Sequence, residues 1–227
     1  MLDADAIERA AHRLADAWVT RQPLDGHVVL GADAPTTADE AYAVQQRMRE
    51  LAGITTGGWK VGATSDVAQR LLGVEAPFLG VVHTERIVGG GHRFEIADWF
   101  AGSPAIEVEV GVRPTVDLDT LPVDPMALAD RVDIVPCIEV VDSRFGAIIG
   151  PPGPCLIADD GVASALVVGD ALDLAEEAIR GLGNMPMRLV VSDPAGDRDP
   201  VEGTASMALG HPLITLHTAA SIAIGLG

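Results

Sequence analysis

The sequence has little positive charge, and this scarcity limits the partners that the protein can bind. Lysine and arginine together number 15 against 33 aspartates and glutamates, so the formal net charge is −18. A chain this acidic repels nucleic-acid phosphates and anionic lipid headgroups, which argues against both as partners. The same negative field opposes an anionic substrate, and a site for such a substrate therefore needs positive charge of its own.

Cysteine is also scarce, and no segment has the pattern of a targeting signal. The two cysteines, Cys137 and Cys155, have neither the spacing of a metal-binding motif nor the number that a disulfide framework needs. The N-terminus lacks the basic start and apolar run of a signal peptide. The most apolar stretch, near the C-terminus, is interpreted as too short and too polar to span a bilayer. We therefore predict a reduced cytoplasmic protein with no membrane partner.

The chain does contain enough apolar sequence for a core. Its 227 residues are 48% hydrophobic, which is sufficient for one sizeable domain. Apolar positions at helical spacing predict a first helix beginning near Asp5, and a capping box of Thr37 and Glu40 predicts the start of a second. The remainder is mostly strand-like. The sequence thus predicts an α+β protein with an N-terminal helical segment over residues 1–56 and a β-rich catalytic core over residues 57–227.

Local signals subdivide the predicted core. Alternating or continuous apolar runs indicate strands, and proline, glycine and aspartate mark the turns between them. The predicted elements are strands over 59–63, 106–112, 134–141 and 163–168, a helix over 65–72, a loop at 151–154, a hairpin around the turn 193–196, and a last helix over 212–224.

Lys60 is the only lysine in the chain, since the other basic residues counted with it are arginines. Lysine supplies a compact ammonium group with three donors, which suits anion binding or proton transfer. Lys60 lies in a glycine-rich segment, residues 57–65, where the backbone can pass close to other groups. These features favour an active-site lysine over a lysine on a solvated strand.

Three glutamates have the pattern of a divalent-metal site. Glu107 and Glu109 are two residues apart on a predicted strand, so they project from the same face and repel each other unless a cation or solvent intervenes. Glu139 lies among apolar residues, where an unpaired carboxylate is costly. Hard divalent ions prefer such oxygen ligands. For the first pair alone, solvated acids are the preferred interpretation; with Glu139 and Lys60 included, the two interpretations become comparable.

Four segments of the chain occur in the order found in one enzyme family. They are residues 58–65, 104–109, 138–144 and 210–213. Together they resemble the 2-keto-4-pentenoate hydratase / 2-oxo-3-hexenedioate decarboxylase branch of the fumarylacetoacetate hydrolase superfamily, over nearly the whole chain. The resemblance implies a mixed β-roll core with N-terminal and peripheral helices, assembled into homo-oligomers. Relatives continue past the last segment with a further strand, so we expect a core shortened at the C-terminus.

The resemblance also implies the site residues. Mg²⁺ or Mn²⁺ is expected on Glu107, Glu109 and Glu139. Lys60 and Ser164 are expected to bind substrate and to act in catalysis, with Trp59 in the substrate pocket beside the lysine. The serine assignment depends on aligning the family's Asp-Asn-Ala-Ser-Ser with residues 160–164, where Gly161 replaces the asparagine; a start at Asp159 would remove it. An acidic residue that many hydratases carry is missing from Pro77-Phe78-Leu79-Gly80.

The implied activity is that of a lyase acting on a small 2-oxo acid. A metal-dependent hydro-lyase would add water to a 2-hydroxy-2,4-dienoate in aromatic meta-cleavage catabolism, giving a 4-hydroxy-2-oxo acid. The alternatives are a 2-oxo-3-enedioate decarboxylase, then an acylpyruvate-type C–C hydrolase, or a non-catalytic paralogue that binds a 2-oxo acid. The hydrolase ranks third because His27 has no nearby glutamate in the setting that hydrolases use. His211 and Arg144 are interpreted as structural residues.

Overall fold

The structure is a computed structural model that describes residues 1–118 and 120–226, and it confirms the α+β class. The helices are α1 (Ala4–Thr20), α2 (Ala38–Ala52), α3 (Asp66–Leu72), α4 (Ile96–Trp99), α5 (Gly153–Ala158), α6 (Glu176–Arg180) and α7 (Pro212–Leu226). The strands are β1 (Thr56–Gly62), β2 (Phe78–His83), β3 (Ile87–Gly89), β4 (Ala105–Pro114), β5 (Val132–Val141), β6 (Ala163–Val168), β7 (Pro186–Leu189), β8 (Ser192–Asp193), β9 (Gly196–Asp197) and β10 (Val201–Thr204).

The strands pair into one larger sheet and several small ones. The larger sheet has four strands in the order β3-β6-β5-β4, and the two-stranded sheets are β1-β2, β7-β10 and β8-β9. Contacts group the chain into two units. The first contains Met1–Ile106 and Glu139–Val167, and the second contains Glu107–Ile138 and the chain from Val168 onward.

The two N-terminal helices pack against each other through small and apolar side chains. Leu14 of α1 and Val44 and Met48 of α2 are fully buried in one cluster. The helix ends agree with their capping signals in α2, where Thr37 accepts a hydrogen bond from the Glu40 main chain and Gly53 ends the helix with a φ of 67°. The first helix begins at Ala4, one residue before the predicted start near Asp5. Its capping residue is Asp3, whose side chain accepts a hydrogen bond from the main-chain nitrogen of Ala6.

Two other boundaries depart from the sequence prediction. The proline-rich segment at 151–154 is not only a loop, since α5 begins at Gly153; proline is tolerated in a first helical turn, where its missing N–H has no partner to lose. The turn at 193–196 does join a hairpin, but its strands β8 and β9 are two residues each. The longer strand before this turn, β7, does not join the hairpin; it pairs with β10, farther along the chain.

Glu40 joins the start of α2 to the N-terminus. Its carboxylate accepts hydrogen bonds from the main-chain nitrogens of Thr36 and Leu2, both at 2.8 Å. The N-terminal ammonium lies 3.4 Å from the same carboxylate. These main-chain bonds, with the Thr36 hydroxyl, favour the charged form and lower the pKa of Glu40 to about 2.

Replacing Glu40 with glutamine should therefore lower the melting temperature at neutral pH. The carboxylate's contribution is complete above its unfolded pKa of 4.5 and is lost as the pH falls through about 2, so the difference between variant and parent should shrink over that range. Thermal melts between pH 2 and 7 measure this. Asp39→Asn, an exposed acid in the same helical turn, is the matched control. An equal effect of the two substitutions would contradict the role of Glu40.

The free edge of β2 is covered by side chains of other elements. Leu79 donates its main-chain N–H to the Tyr42 hydroxyl at 3.0 Å, and its carbonyl accepts from Gln45 at 2.8 Å. Val81 donates its N–H to Asp160 Oδ1 at 2.9 Å. Because buried backbone groups need partners, these side chains allow a two-stranded sheet to be buried on that edge.

The second unit has its own apolar core and carries the C-terminal helix. Leu128, Ile134, Leu182 and Leu213 are buried together in it. The expectation that the most apolar stretch is too short and too polar for a bilayer is wrong by length and composition. Among the described residues, Ala205–Leu226 has 22 residues and a mean hydropathy of 1.3, enough for a candidate span. The regular helix within it, α7, has 15 residues, or about 22 Å of length.

Candidate active site

Lys60 lies next to Glu139 in the first unit. The Lys60 Nζ and Glu139 Oε1 atoms are 3.5 Å apart, and the two side chains are 10% and 6% exposed. The Lys60 ammonium also lies 5.9 Å from the centre of the Phe78 ring. Opposite charges held close together in a water-poor setting offset part of each other's desolvation cost, whereas either charge alone would be expensive there. The only lysine in the chain is therefore partly buried and lies beside a buried acid.

Glycine on the neighbouring strand leaves room for the lysine. Lys60 pairs with Gly80 across the β1-β2 sheet. A Cβ atom at Gly80 would lie 2.1 Å from the Asp160 carbonyl oxygen and 3.2 Å from Lys60 Cγ, so no side chain fits there. The sequence Pro77-Phe78-Leu79-Gly80, interpreted above only as lacking an acid, thus has a steric reason for its glycine.

The three predicted metal-binding glutamates form an acidic cluster. Glu107, Glu109 and Glu139 can each offer one carboxylate oxygen, and these oxygens lie within 4.8 Å of one another. Carboxylate oxygens bind divalent cations at about 2.0–2.6 Å, so two oxygens on opposite sides of one ion are about 4–5 Å apart. The spacing and the all-oxygen donor set therefore fit a single Mg²⁺-like or Ca²⁺-like ion.

Ser164 and Trp59 have different surroundings. Ser164 is 3% exposed on β6, the strand next to β5, which carries Glu139. Trp59 immediately precedes Lys60 in β1, so its indole projects from the opposite face of the strand. That indole is 45% exposed and lies 5.7 Å from the Arg49 guanidinium. The assigned roles of Ser164 and Trp59 in substrate binding stay predictions.

The structural interpretation of Arg144 and His211 agrees with their contacts. Arg144 is 1% exposed and forms an ion pair with Asp159, and its Nη1 donates to the Ala163 carbonyl at 3.0 Å. His211 is buried at the start of α7, where its Nδ1 accepts from the Leu213 main chain at 3.1 Å. Arg144 therefore stabilises the main chain at the start of β6, and His211 stabilises the first turn of α7.

Asp160 is a buried residue that the sequence analysis considered only for alignment. Its side chain accepts a hydrogen bond from the main chain of Val81 in β2, and the residue is 1% exposed. Burial raises the pKa of Asp160 to about 6. Two adjacent aspartates preceding a strand gave no sign of burial, because acidic residues are common throughout this chain. A useful signal was the glycine that follows them, Gly161, which has a φ of 61°.

Comparison with known proteins finds hydratases. Over 111 residues the chain is 33% identical to a 2-keto-4-pentenoate hydratase of Paraburkholderia xenovorans (strain LB400), covering 47% of this chain and 40% of that protein. Over 148 residues it is 30% identical to a 2-hydroxypent-2,4-dienoate hydratase of Pseudomonas putida, covering 63% of this chain and 65% of that protein. The chain thus covers less than two thirds of the length of either relative.

A decarboxylase matches over a longer stretch. The chain is 27% identical over 212 residues to a 4-oxalocrotonate decarboxylase of Pseudomonas putida, covering 88% of this chain and 74% of that protein. The solved structure of the decarboxylase from strain G7, complexed with magnesium and adipate, matches with a TM-score of 0.82 at 23% identity, covering 100% of this chain and 84% of that chain. Another, complexed with calcium and acetate, has a TM-score of 0.80. These likenesses show the fold; no protein-family profile matches the chain.

Proposed function

We propose that the chain belongs with the 2-keto-4-pentenoate hydratases and 4-oxalocrotonate decarboxylases to which it is similar, a branch of the fumarylacetoacetate hydrolase superfamily, and that it is a divalent-metal-dependent hydro-lyase. The substrate is a 2-hydroxy-2,4-dienoate and the product a 4-hydroxy-2-oxo acid. The observation that carries the proposal is the triad of carboxylates within 4.8 Å of one another, together with the Lys60 ammonium 3.5 Å from one of them.

Glu107, Glu109 and Glu139 would hold the cation, Mg²⁺ or Mn²⁺. The oxygen-only donor set and its spacing support this assignment, and relatives of the same fold were solved with magnesium or calcium. When bound, such an ion supplies Lewis acidity that stabilises negative charge developing on a 2-oxo oxygen. It would also offset the negative field of a chain with a net charge of −18, which otherwise opposes an anionic substrate.

Lys60 would bind the substrate carboxylate or assist proton transfer beside it. Its ammonium has three N–H donors, and the Glu139 carboxylate occupies only one side of it. Ser164 would donate or accept a hydrogen bond at the substrate. In the reaction the enol O–H proton is removed and a proton is added at C5. Water then adds its hydroxyl at C4 and a proton at C3, so the product differs from the substrate by one water.

Decarboxylation of a 2-oxo-3-enedioate is the second candidate. The match to 4-oxalocrotonate decarboxylase over 88% of this chain favours it, since that alignment is longer than those to the hydratases quoted above. Loss of carbon dioxide from such a substrate leaves an electron pair that the same 2-oxo group accepts, so the glutamate triad and Lys60 would serve either reaction.

The wider setting is part of the same proposal. We infer a cytoplasmic homo-oligomer in aromatic meta-cleavage catabolism, with no nucleic acid or membrane as a partner. The names of the relatives support the pathway class, and the net charge of −18 supports the absence of polyanionic partners. Light scattering on the purified protein measures the oligomeric state directly.

Protein treated with EDTA should not consume 2-hydroxypenta-2,4-dienoate, and addition of Mg²⁺ or Mn²⁺ should restore consumption. The measurement follows the ultraviolet absorbance of the dienoate and identifies the product by mass. A gain of one water establishes the hydratase, and loss of carbon dioxide from a 2-oxo-3-enedioate establishes the decarboxylase. Metal binding by calorimetry without turnover of either substrate would contradict both and favour a non-catalytic 2-oxo-acid-binding protein.

A further inference from the structure

Three arginine side chains of the first unit surround the Trp18 ring at the C-terminal end of α1. The guanidinium carbons of Arg21, Arg86 and Arg144 lie 5.1, 5.0 and 5.0 Å from the centre of that ring. Only 15 of the 227 residues are basic, and the net charge of the chain is −18. Because like charges repel, so close a group of cations in so acidic a protein needs negative charge beside it.

Acidic side chains supply only part of that negative charge. Asp159 forms an ion pair with Arg144. Asp142 attracts both other arginines, but it forms no ion pair with either, and its carboxylate accepts hydrogen bonds from two main-chain nitrogens. In the part of the chain that the structure describes, Arg21 and Arg86 thus have no carboxylate in direct contact, although Arg86 is 7% exposed.

Arg21 borders a cavity that an anion could enter. The cavity has a volume of about 330 Å³ and lies where α1, α2 and β2 end. Among the described residues, the Arg21 guanidinium donates one hydrogen bond, from Nε to the Asp98 carbonyl at 3.3 Å. Its two Nη groups are left for solvent or a ligand. The volume is at the lower end of the range for small-molecule sites.

The remaining walls of the cavity suit a ligand with one polar end. Trp18 and Ala52 supply apolar surface, and the Thr55 hydroxyl is a further donor. The His83 Nδ1 atom accepts a hydrogen bond from the Glu85 main chain at 3.0 Å. Burial lowers the pKa of His83, so its ring is neutral at pH 7 and adds no second positive charge.

The charges of the cavity favour a single carboxylate over a dianion. A guanidinium presents parallel N–H groups that match the two oxygens of a carboxylate. The exposed Glu85 lines the same cavity, and Gly53 lies in it at the end of α2, where free carbonyl groups carry partial negative charge. A second negative charge on the ligand would be repelled by both.

We propose that this cavity binds a small monocarboxylate with a short apolar chain: Arg21 binds the carboxylate, Thr55 donates to it, and Trp18 contacts the chain. The site is separate from the candidate active site. Thr56 begins β1 beside the cavity, and Lys60 lies four residues farther along the strand, or roughly 13 Å at 3.3 Å per residue. The proposal therefore does not depend on the reaction that the protein catalyses.

Butyrate is a suitable probe, and the indole N–H signals of the three tryptophans in a ¹⁵N NMR spectrum report its binding. The Trp18 signal is assigned by its loss in Trp18→Phe. Butyrate added to Mg²⁺-loaded protein should shift that signal saturably. Butyramide, which has the same chain and no charge, should not shift it, and the dianion succinate should bind more weakly than butyrate.

Variants test the assigned charges. Arg21→Gln should weaken butyrate binding by at least about tenfold, because it removes a charged donor pair. Glu85→Gln should strengthen it by removing repulsion. Arg131→Gln, which alters an arginine 47% exposed in the second unit, is the matched control and should leave the affinity unchanged.

Four results would overturn the proposal: no saturable shift of the Trp18 signal, equal binding of butyramide, an unchanged affinity in folded Arg21→Gln, or loss of the response in Lys60→Met. The last of these would assign the butyrate to the candidate active site. If Arg21→Gln does not fold, the comparison of butyrate with butyramide on the parent protein decides the question alone.

Discussion

Lys60→Met should reduce turnover of 2-hydroxypenta-2,4-dienoate by at least about a thousandfold while leaving Mg²⁺ affinity nearly unchanged. A thousandfold loss corresponds to about 4 kcal/mol of transition-state stabilisation, the scale expected for removing a charged donor from a water-poor site. The relevant measurements are kcat from the absorbance assay and the Kd of Mg²⁺ from calorimetry on the same preparation.

The reason for the separation of these two effects lies in the contacts of the lysine. Methionine keeps an unbranched stem of similar length, so the packing of that stem next to Gly80 is retained. What is lost is the ammonium 3.5 Å from Glu139 Oε1. On the proposed assignment, a bound cation would supply positive charge to that carboxylate, so loss of the ammonium should weaken mainly the interaction with the substrate.

Two further variants sharpen the test. Lys60→Arg keeps the charge but replaces a compact ammonium by a planar guanidinium, so it should recover little activity. Arg70→Met removes one positive charge from an exposed position on the adjacent helix α3 and should leave kcat unchanged. Unaltered turnover in Lys60→Met would contradict a role for the lysine in the reaction. A large loss of Mg²⁺ affinity would instead make the lysine part of the metal site.

The candidate site could be anticipated because its signals are local. The two-residue period of β4 predicts that Glu107 and Glu109 share a face, and the acidic cluster contains both. The rarity of lysine drew attention to Lys60 without any knowledge of its neighbours. The contribution of Asp160 could not be found in this way. Its importance depends on a hydrogen bond to Val81, 79 positions away in the chain, and on the burial of one of two adjacent aspartates.

The same distinction explains which parts of the fold were predicted. Capping residues fixed the ends of α2 and α3, because the signals that stop a helix lie within a turn of its end. Strand β6 was predicted with its observed bounds, since a short run of mostly apolar residues, interrupted only by Ser164, is consistent with a strand. The pairing of β7 with β10 was missed, because register between distant strands is decided by packing and not by local pattern.

Arg144→Met should destabilise the protein by about 3–5 kcal/mol, the usual cost of removing one partner from a buried ion pair. Arg144 is 1% exposed and its partner Asp159 is fully buried. The arginine main-chain nitrogen and the Ser143 hydroxyl both donate to Asp159 Oδ2 at 2.9 Å. Methionine fills part of the volume but leaves an uncompensated carboxylate. Since single domains are stable by about 5–15 kcal/mol, the loss is a large fraction of the total.

The pair also supports the segment that carries Ser164. Arg144 Nη1 donates to the carbonyl of Ala163 at 3.0 Å, and the guanidinium lies 5.0 Å from the centre of the Trp18 ring. Removing the arginine therefore frees the start of β6 as well as the buried acid. Any Arg144→Met protein that remains folded should consequently lose activity in addition to stability, with Mg²⁺ affinity changed less than turnover.

Denaturant unfolding followed by circular dichroism measures the loss, with Arg113→Met as the control. Arg113 pairs with Asp133, but the two side chains are 59% and 39% exposed, and such pairs contribute about 0–1 kcal/mol. The double variant Arg144→Met/Asp159→Leu should lose less unfolding free energy than the sum of the two single losses, because neither charge is then left buried alone. Simple additivity of the two substitutions, or equal losses in Arg144→Met and Arg113→Met, would show that the buried pair does not stabilise the turn before Ser164.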